Sequence, residues 1–132
     1  MKILGIDFGT KRIGVALSDG LMITAQGQDS ILSKSLLQDI EAIKSIITEN
    51  GVTEIVVGLP ISMNGTHSAK TRETLEFVEN LSKAVGIPVK TWDERLTSRA
   101  ADQLGAGSKG QASRDEVAAM LILQSFFDDE SI

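Results

Sequence analysis

"ILGIDFGTKRIG", residues 3–14, is the stretch on which the reading of this chain turns. Apolar residues lead into a single carboxylate, Asp7. A glycine, a threonine and two bases follow, and apolar residues then resume. Alternation and β-branching predict one strand over 2–8 and a second over 13–18. An ionised carboxylate set into such a strand is costly unless it is paired or metal-bound. Gly5 and Gly9 strip side-chain bulk from both sides of Asp7, and Gly9 with Thr10 lets a phosphate or a backbone approach closely. Asp7 can therefore hold a metal ion, make room for a nucleotide phosphate, or only cap the next turn.

The pattern beyond this stretch tells what kind of sheet the first strand joins. "SDG" at 18–20 is a turn signal, and a third strand is expected around 22–28, which makes an antiparallel meander of the first three. Leu36, Leu37, Ile40, Ile43 and Ile47 recur at helical spacing over 33–49, with Asn50-Gly51 as the stop. "EIVVGLP" (54–60) is a short continuous apolar run, the mark of a strand covered on both faces. Helical spacing returns over 69–85 with Leu75, Val78, Leu81 and Val85. A strand "IPVKTWDE" (87–94), a short helix near 98–104, a glycine-rich loop (105–113) and a last helix (114–127) complete the series. "DDESI", about 128–132, reads as a frayed acidic tail. Strands alternating with helices need parallel crossovers. The expected fold is α/β: a mixed five-stranded sheet with helices on both faces, in a single domain over 1–132.

Composition narrows the chemistry. At 132 residues the chain is long enough to bury a core without staples. It has no cysteine, which removes disulfides, thiolate zinc sites and cysteine nucleophiles, and its one histidine, His67, reads as an exposed loop residue. A catalytic metal would have to rest on carboxylates, which suits Mg2+ or Mn2+ rather than zinc. No apolar run approaches a membrane span and "MKILGIDFG" lacks a signal-peptide profile, so the expectation is a cytoplasmic protein with no membrane partner, a monomer or homodimer. A formal charge of -5 argues against a broad basic grip on a partner, although it leaves a local basic patch open.

Two further acids stand where a sheet could bring them to Asp7. "VKTWDE" ends in Asp93 and Glu94 at the C-terminal end of a strand, where α/β sheets bind ligands. The two point to opposite faces, so only one can join Asp7, and spacing does not choose between them. Asp115 opens the last helix in "SRDEVAAMLILQSFF". There Ser113 and Glu116 form a capping box, and acids suit the first turn electrostatically. Asp115 shares a face with Ala118, Ala119 and Ile122, but the helix is apolar nearly all round and periodicity does not separate Asp115 from Glu116. Hydrolysis of a phosphodiester by two metal ions needs several carboxylates in one place. Bases flank each acid: Lys11 and Arg12 after Asp7, Arg95 and Arg99 after Glu94, Lys109 and Arg114 before Asp115. A positive rim around a negative pit is what holding a nucleic-acid backbone at such a site requires. Asn64, in the polar strand-exit loop "GLPISMNGT" (58–66), is a further candidate phosphate contact.

Four of these segments, "DFGTKRIGVALSD", "VVGLP" with "NG" after it, "DERLTS" and "DEVAAMLILQ", resemble in order the motifs of the YqgF (RuvX) family of pre-16S ribosomal RNA nucleases, relatives of the RuvC-type Holliday-junction resolvases. The resemblance runs over nearly the whole chain. It implies an RNase H-like fold and places the family's acidic triad on Asp7, Glu94 and Asp115. It also implies processing of the 5′ end of the small-subunit ribosomal RNA precursor. Ser98 stands where a second threonine is common, outside the triad. Cleavage of four-way DNA junctions and non-catalytic RNA binding are the alternatives within this fold. "DFGT" also resembles the first phosphate loop of the actin, sugar-kinase and chaperone ATPases. That superfamily uses two lobes and a second phosphate loop, and this sequence has no second loop.

Overall fold

The computed structural model describes residues 2–9, 11–18, 25–60, 68–93 and 114–130, with the backbone alone at 25–29, 114–117 and 127–130. Along the chain run β1 (Lys2–Asp7), β2 (Arg12–Ser18), β3 (Ala25–Leu32), α1 (Leu36–Asn50), β4 (Val52–Leu59), α2 (Ala69–Ala84), β5 (Val89–Asp93) and α3 (Arg114–Glu130). The five strands form one sheet in the order β3-β2-β1-β4-β5. β1 pairs antiparallel with β2 and β2 with β3, while β1–β4 and β4–β5 are parallel. This is the mixed sheet expected from the sequence.

Strand alternation divides the core in two. Leu4, Ile6, Ile13, Val15, Ile55 and Val57 point to one face and pack on Ile40 and Ile43 of α1 and Phe77 and Leu81 of α2. Ile3, Ala16 and Val56 point to the other, against Ala119, Ile122, Leu123 and Phe126 of α3. β4 is buried almost along its length because both layers cover it. The half of α3 near its C-terminus is fixed to β5. Trp92 Nε1 donates to Ser125 Oγ at 2.9 Å, and the Trp92 ring meets Phe126 edge-on at 5.5 Å between centroids.

The helices start and stop where capping chemistry allows. Ser35 in extended conformation accepts from Gln38 N at 3.2 Å and opens α1, and Gly51 at φ 66° closes it, its N–H donating to Ile47 O. Asp39 is buried in the first turn of α1, where its carboxylate accepts from Ser33 Oγ at 2.6 Å and from Lys34 N at 3.0 Å. Two hydrogen bonds and the helix N-terminus offset the loss of solvent. Ser68 and Thr71 form a capping box at the start of α2, and the Thr71 hydroxyl donates to Pro60 O, tying the helix to the end of β4.

Several boundaries and faces differ from the sequence expectation. β3 continues to Leu32, four residues past 28, because Ile31 and Leu32 pair with Ile13 and Arg12 of β2; ladder pairing overrides the turn-like "GQDS". The helix expected from 33 begins at Leu36. Leu36 and Leu37 do not join the core: they are 44% and 78% exposed. On α2 the buried face is Thr71, Thr74, Phe77 and Leu81, with Leu75 and Val78 at its margins. Thr74 fits there because its hydroxyl donates to Lys70 O at 2.8 Å. α3 runs through Glu130, three residues past the expected end at 127. The helix near 98–104 and the loop 105–113 lie outside the described residues. No described helix is long and apolar enough to cross a membrane.

Candidate active site at the end of the first strand

Asp7 is the last residue of β1, half-buried, at the end of the sheet where the parallel strands finish. Its place in the alternation is that of Ile3 and Gly5, so it stands on the face covered by α3. Its sheet neighbours there carry no side chains. Gly5 lies two residues behind it and Gly14 is its partner across β2. On β4, Gly58 follows Val57, the partner of Ile6, and shares the face of Val56. Asp7 is thus flanked in the sheet by glycines, and over Gly5 the missing side chain is replaced by Leu123 and the Ala119 carbonyl of α3.

Gly9 has a more local task. A β-carbon there would come within 2.4 Å of the Arg12 carbonyl oxygen, so the tight turn into β2 itself requires glycine.

α3 crosses the sheet close against Gly5. A β-carbon on Gly5 would stand 3.1 Å from the Ala119 carbonyl oxygen. Asp115 is the second residue of α3, one helical turn before Ala119 on the same side of the helix. Asp7 and Asp115 therefore sit two strand residues and one helical turn, respectively, from a single contact. Of the two acids that end "VKTWDE", Asp93 closes β5. Lys90 and Trp92 face α3 through Phe126, so Asp93 has the opposite parity. Glu94 itself lies outside the described residues, as do Thr10, Asn64, His67, Arg95, Arg99 and Lys109. Of the three expected acids only Asp7 has a described side chain, and among the described residues no three acids or histidines gather.

The cations are distributed unevenly. Lys44, Lys83 and Lys90 are in surface ion pairs with Glu41, Glu79 and Glu54. Lys11, Arg12, Lys34, Lys70 and Arg72 make no ion pair among the described residues, and all five stand at the Asp7 end of the sheet. Lys11 and Arg12 form the turn after β1, and Lys34 follows β3, whose exit is bound by Ser33 N donating to Lys11 O at 2.9 Å. Lys70 and Arg72 occupy the first turn of α2, beside the end of β4. Lys2, also outside any such pair, is at the opposite end. Sequence proximity to an acid identifies Lys11 and Arg12. Lys34, Lys70 and Arg72 are far from the acids in sequence, and only the parallel crossovers bring them to this end. Gly14 escapes notice for a similar reason, since its part depends on strand register.

This arrangement of sheet and helices is the RNase H-like nuclease fold. It superimposes on T. thermophilus RuvC in complex with a Holliday junction substrate with a TM-score of 0.70, over 99% of this chain and 96% of that chain, at 16% identity. A hexokinase of the ROK group from Thermus thermophilus shares the fold more distantly, with a TM-score of 0.51 over 83% of this chain and 39% of that chain, at 18% identity. Sequence decides between these two directions. The chain belongs to the RuvX family, described as Holliday junction resolvase, whose profile matches residues 1–129. A relative from Koribacter versatilis (strain Ellin345), provisionally named a pre-16S rRNA nuclease, is 42% identical across 99% of this chain and 89% of its own length.

Proposed function

We propose that this protein is a metal-dependent nuclease acting on structured RNA, with the small-subunit ribosomal RNA precursor as its substrate. The observation that carries the reading is Asp7 among glycines at the sheet end where five cations that make no ion pair among the described residues collect, in a chain of the RuvX family. Asp7, Glu94 and Asp115 are the ligand set and catalytic acids. Hard carboxylate oxygens, with no cysteine in the chain, suit Mg2+ or Mn2+. When bound, the metal supplies charge neutralisation at the phosphate and a hydroxide at neutral pH.

The chain's own residues do the rest. Gly5 lets α3 sit close against β1, and Gly14 and Gly58 add no side chains of their own beside Asp7. Lys11 and Arg12 hold the substrate backbone next to it, with Arg95, Arg99, Lys109, Arg114, Asn64 and the Gly9-Thr10 turn as further contacts. RNA is preferred over a four-way DNA junction because the Koribacter relative bears the ribosomal name. The deciding experiment offers precursor ribosomal RNA and a four-way DNA junction side by side, with and without magnesium, to wild type and Asp7→Asn. Magnesium-dependent RNA cleavage lost in Asp7→Asn is expected. Preferred cutting of the junction would move the assignment to a resolvase, and binding without cleavage to a non-catalytic module.

A further inference from the structure

On the opposite face of the sheet from Asp7, a hollow of about 320 Å³ opens between α1 and α2. Its floor is Phe8, the residue after Asp7. The Phe8 ring is half-buried and stacks on buried Phe77 at 4.4 Å between centroids, with 24° between planes. The Phe8 ring thus joins the core on one side and borders this open space on another. Around it stand Ser35, Glu73, Glu76 and Asn80. Asp39 also borders the hollow, but Ser33 and Lys34 N already occupy its oxygens.

We propose that this hollow takes one unstacked base from a single-stranded segment of the nucleic-acid substrate, an inference that rests on the nuclease reading above. The volume falls at the low end of ligand pockets, about 300–1,000 Å³, which suits one ring system rather than a length of chain. An aromatic ring facing an open space is the surface on which proteins stack splayed bases. The charges are ordered as a nucleotide needs. Lys34 lies between two residues of the wall, Ser33 and Ser35. Lys70 precedes Glu73 by three residues on the same side of α2, and Lys11 O accepts from Ser33 N. These three lysines do not line the hollow itself, but they make no ion pair among the described residues and bring positive charge to its surroundings. The carboxylates of Glu73 and Glu76, likewise outside any ion pair among the described residues, make the interior an acceptor. A phosphate is repelled from that interior and held at the rim, while an exocyclic amino group is accepted within. Adenine, cytosine and guanine should therefore enter in preference to uracil.

The test measures binding of short single-stranded RNA to the full chain without divalent metal, while one abasic nucleotide is moved along the strand. One position should lose about tenfold in affinity, the scale of a single base–aromatic stack. In Phe8→Leu, checked by melting for an intact fold, that dip should flatten. Glu76→Gln on an intact strand should reduce the preference for an amino-bearing base at that position. A flat scan in the wild type, or a dip equally deep in Phe8→Leu, overturns the proposal. Cleavage of the intact RNA is followed in parallel. Asp7-dependent cutting with a flat scan removes the base pocket alone, whereas absence of both binding and cutting removes the nuclease reading with it.

Discussion

Leu123 rests on Gly5 so closely that a β-carbon at position 5 would stand 2.5 Å from Leu123 Cγ. Real side chains do not approach so near, and Leu123 is fully buried, so a larger residue must lift α3 off β1. Gly5→Ala should cost about 1–3 kcal/mol, the usual range for overpacking, and lower the melting temperature by several degrees. It should also reduce cleavage measured well below that temperature, because α3 carries Asp115. An unchanged melting temperature would show that the helix yields without cost.

Asp7→Asn separates stability from catalysis. In the proposed site Asp7, Glu94 and Asp115 would repel one another without metal, so removing one charge should leave the metal-free fold at least as stable while abolishing cleavage. A ligand that binds only the folded state stabilises it. Magnesium should then raise the melting temperature of the wild type more than that of the variant. Equal shifts in the two proteins would exclude Asp7 as a ligand.

Thr71 joins three features in one hydroxyl: it is fully buried, it completes the capping box with Ser68, and it donates to Pro60 O. Thr71→Val keeps the shape and the cap bond from its own N–H to Ser68 Oγ, and removes the hydroxyl that serves Ser68 N and Pro60 O. A backbone donor and a carbonyl left without that partner predict a loss of about 1–3 kcal/mol, read by urea denaturation. A loss under about 0.5 kcal/mol, within the range of neutral surface changes, would mean that water replaces the hydroxyl without penalty.

What could be read from sequence was set by how local its cause is. The strand at Asp7, the Asn50-Gly51 stop of α1 and the apolar run of β4 depend on neighbouring residues, and each is visible as a pattern. The extension of β3 through Leu32 depends on Arg12 and Ile13 across the ladder, which no local pattern shows. Leu37 carries the right spacing for a core position yet lies beyond the sheet's reach. The parity of Asp93 needed Trp92 and Phe126 in contact, which links residues 34 apart. The same holds at the site, where Asp7, Lys11 and Arg12 stand together in one motif. Gly14 follows from register, and Lys34, Lys70 and Arg72 from the return of separate crossovers to one end of the sheet.

That gathering of cations makes the final prediction, on salt. Each phosphate neutralised contributes about 0.7 to the slope of log affinity against log salt for a single strand and about 0.9 for a duplex. An acidic chain with a small basic rim should show a shallow slope overall. Removing a true contact should lower it by roughly one contribution, uniformly across unrelated sequences. Lys70→Ala and Lys34→Ala should each do so. Lys44→Ala and Lys83→Ala remove the same charge from residues already paired with Glu41 and Glu79, farther along α1 and α2, and should leave the slope unchanged. Fluorescence anisotropy across a salt series measures all four. If the four variants lower the slope alike, only net charge matters and the rim at the Asp7 end has no special part in binding. If the first two alone do, the backbone of the substrate passes over the ends of β3 and β4, beside the first turns of α1 and α2.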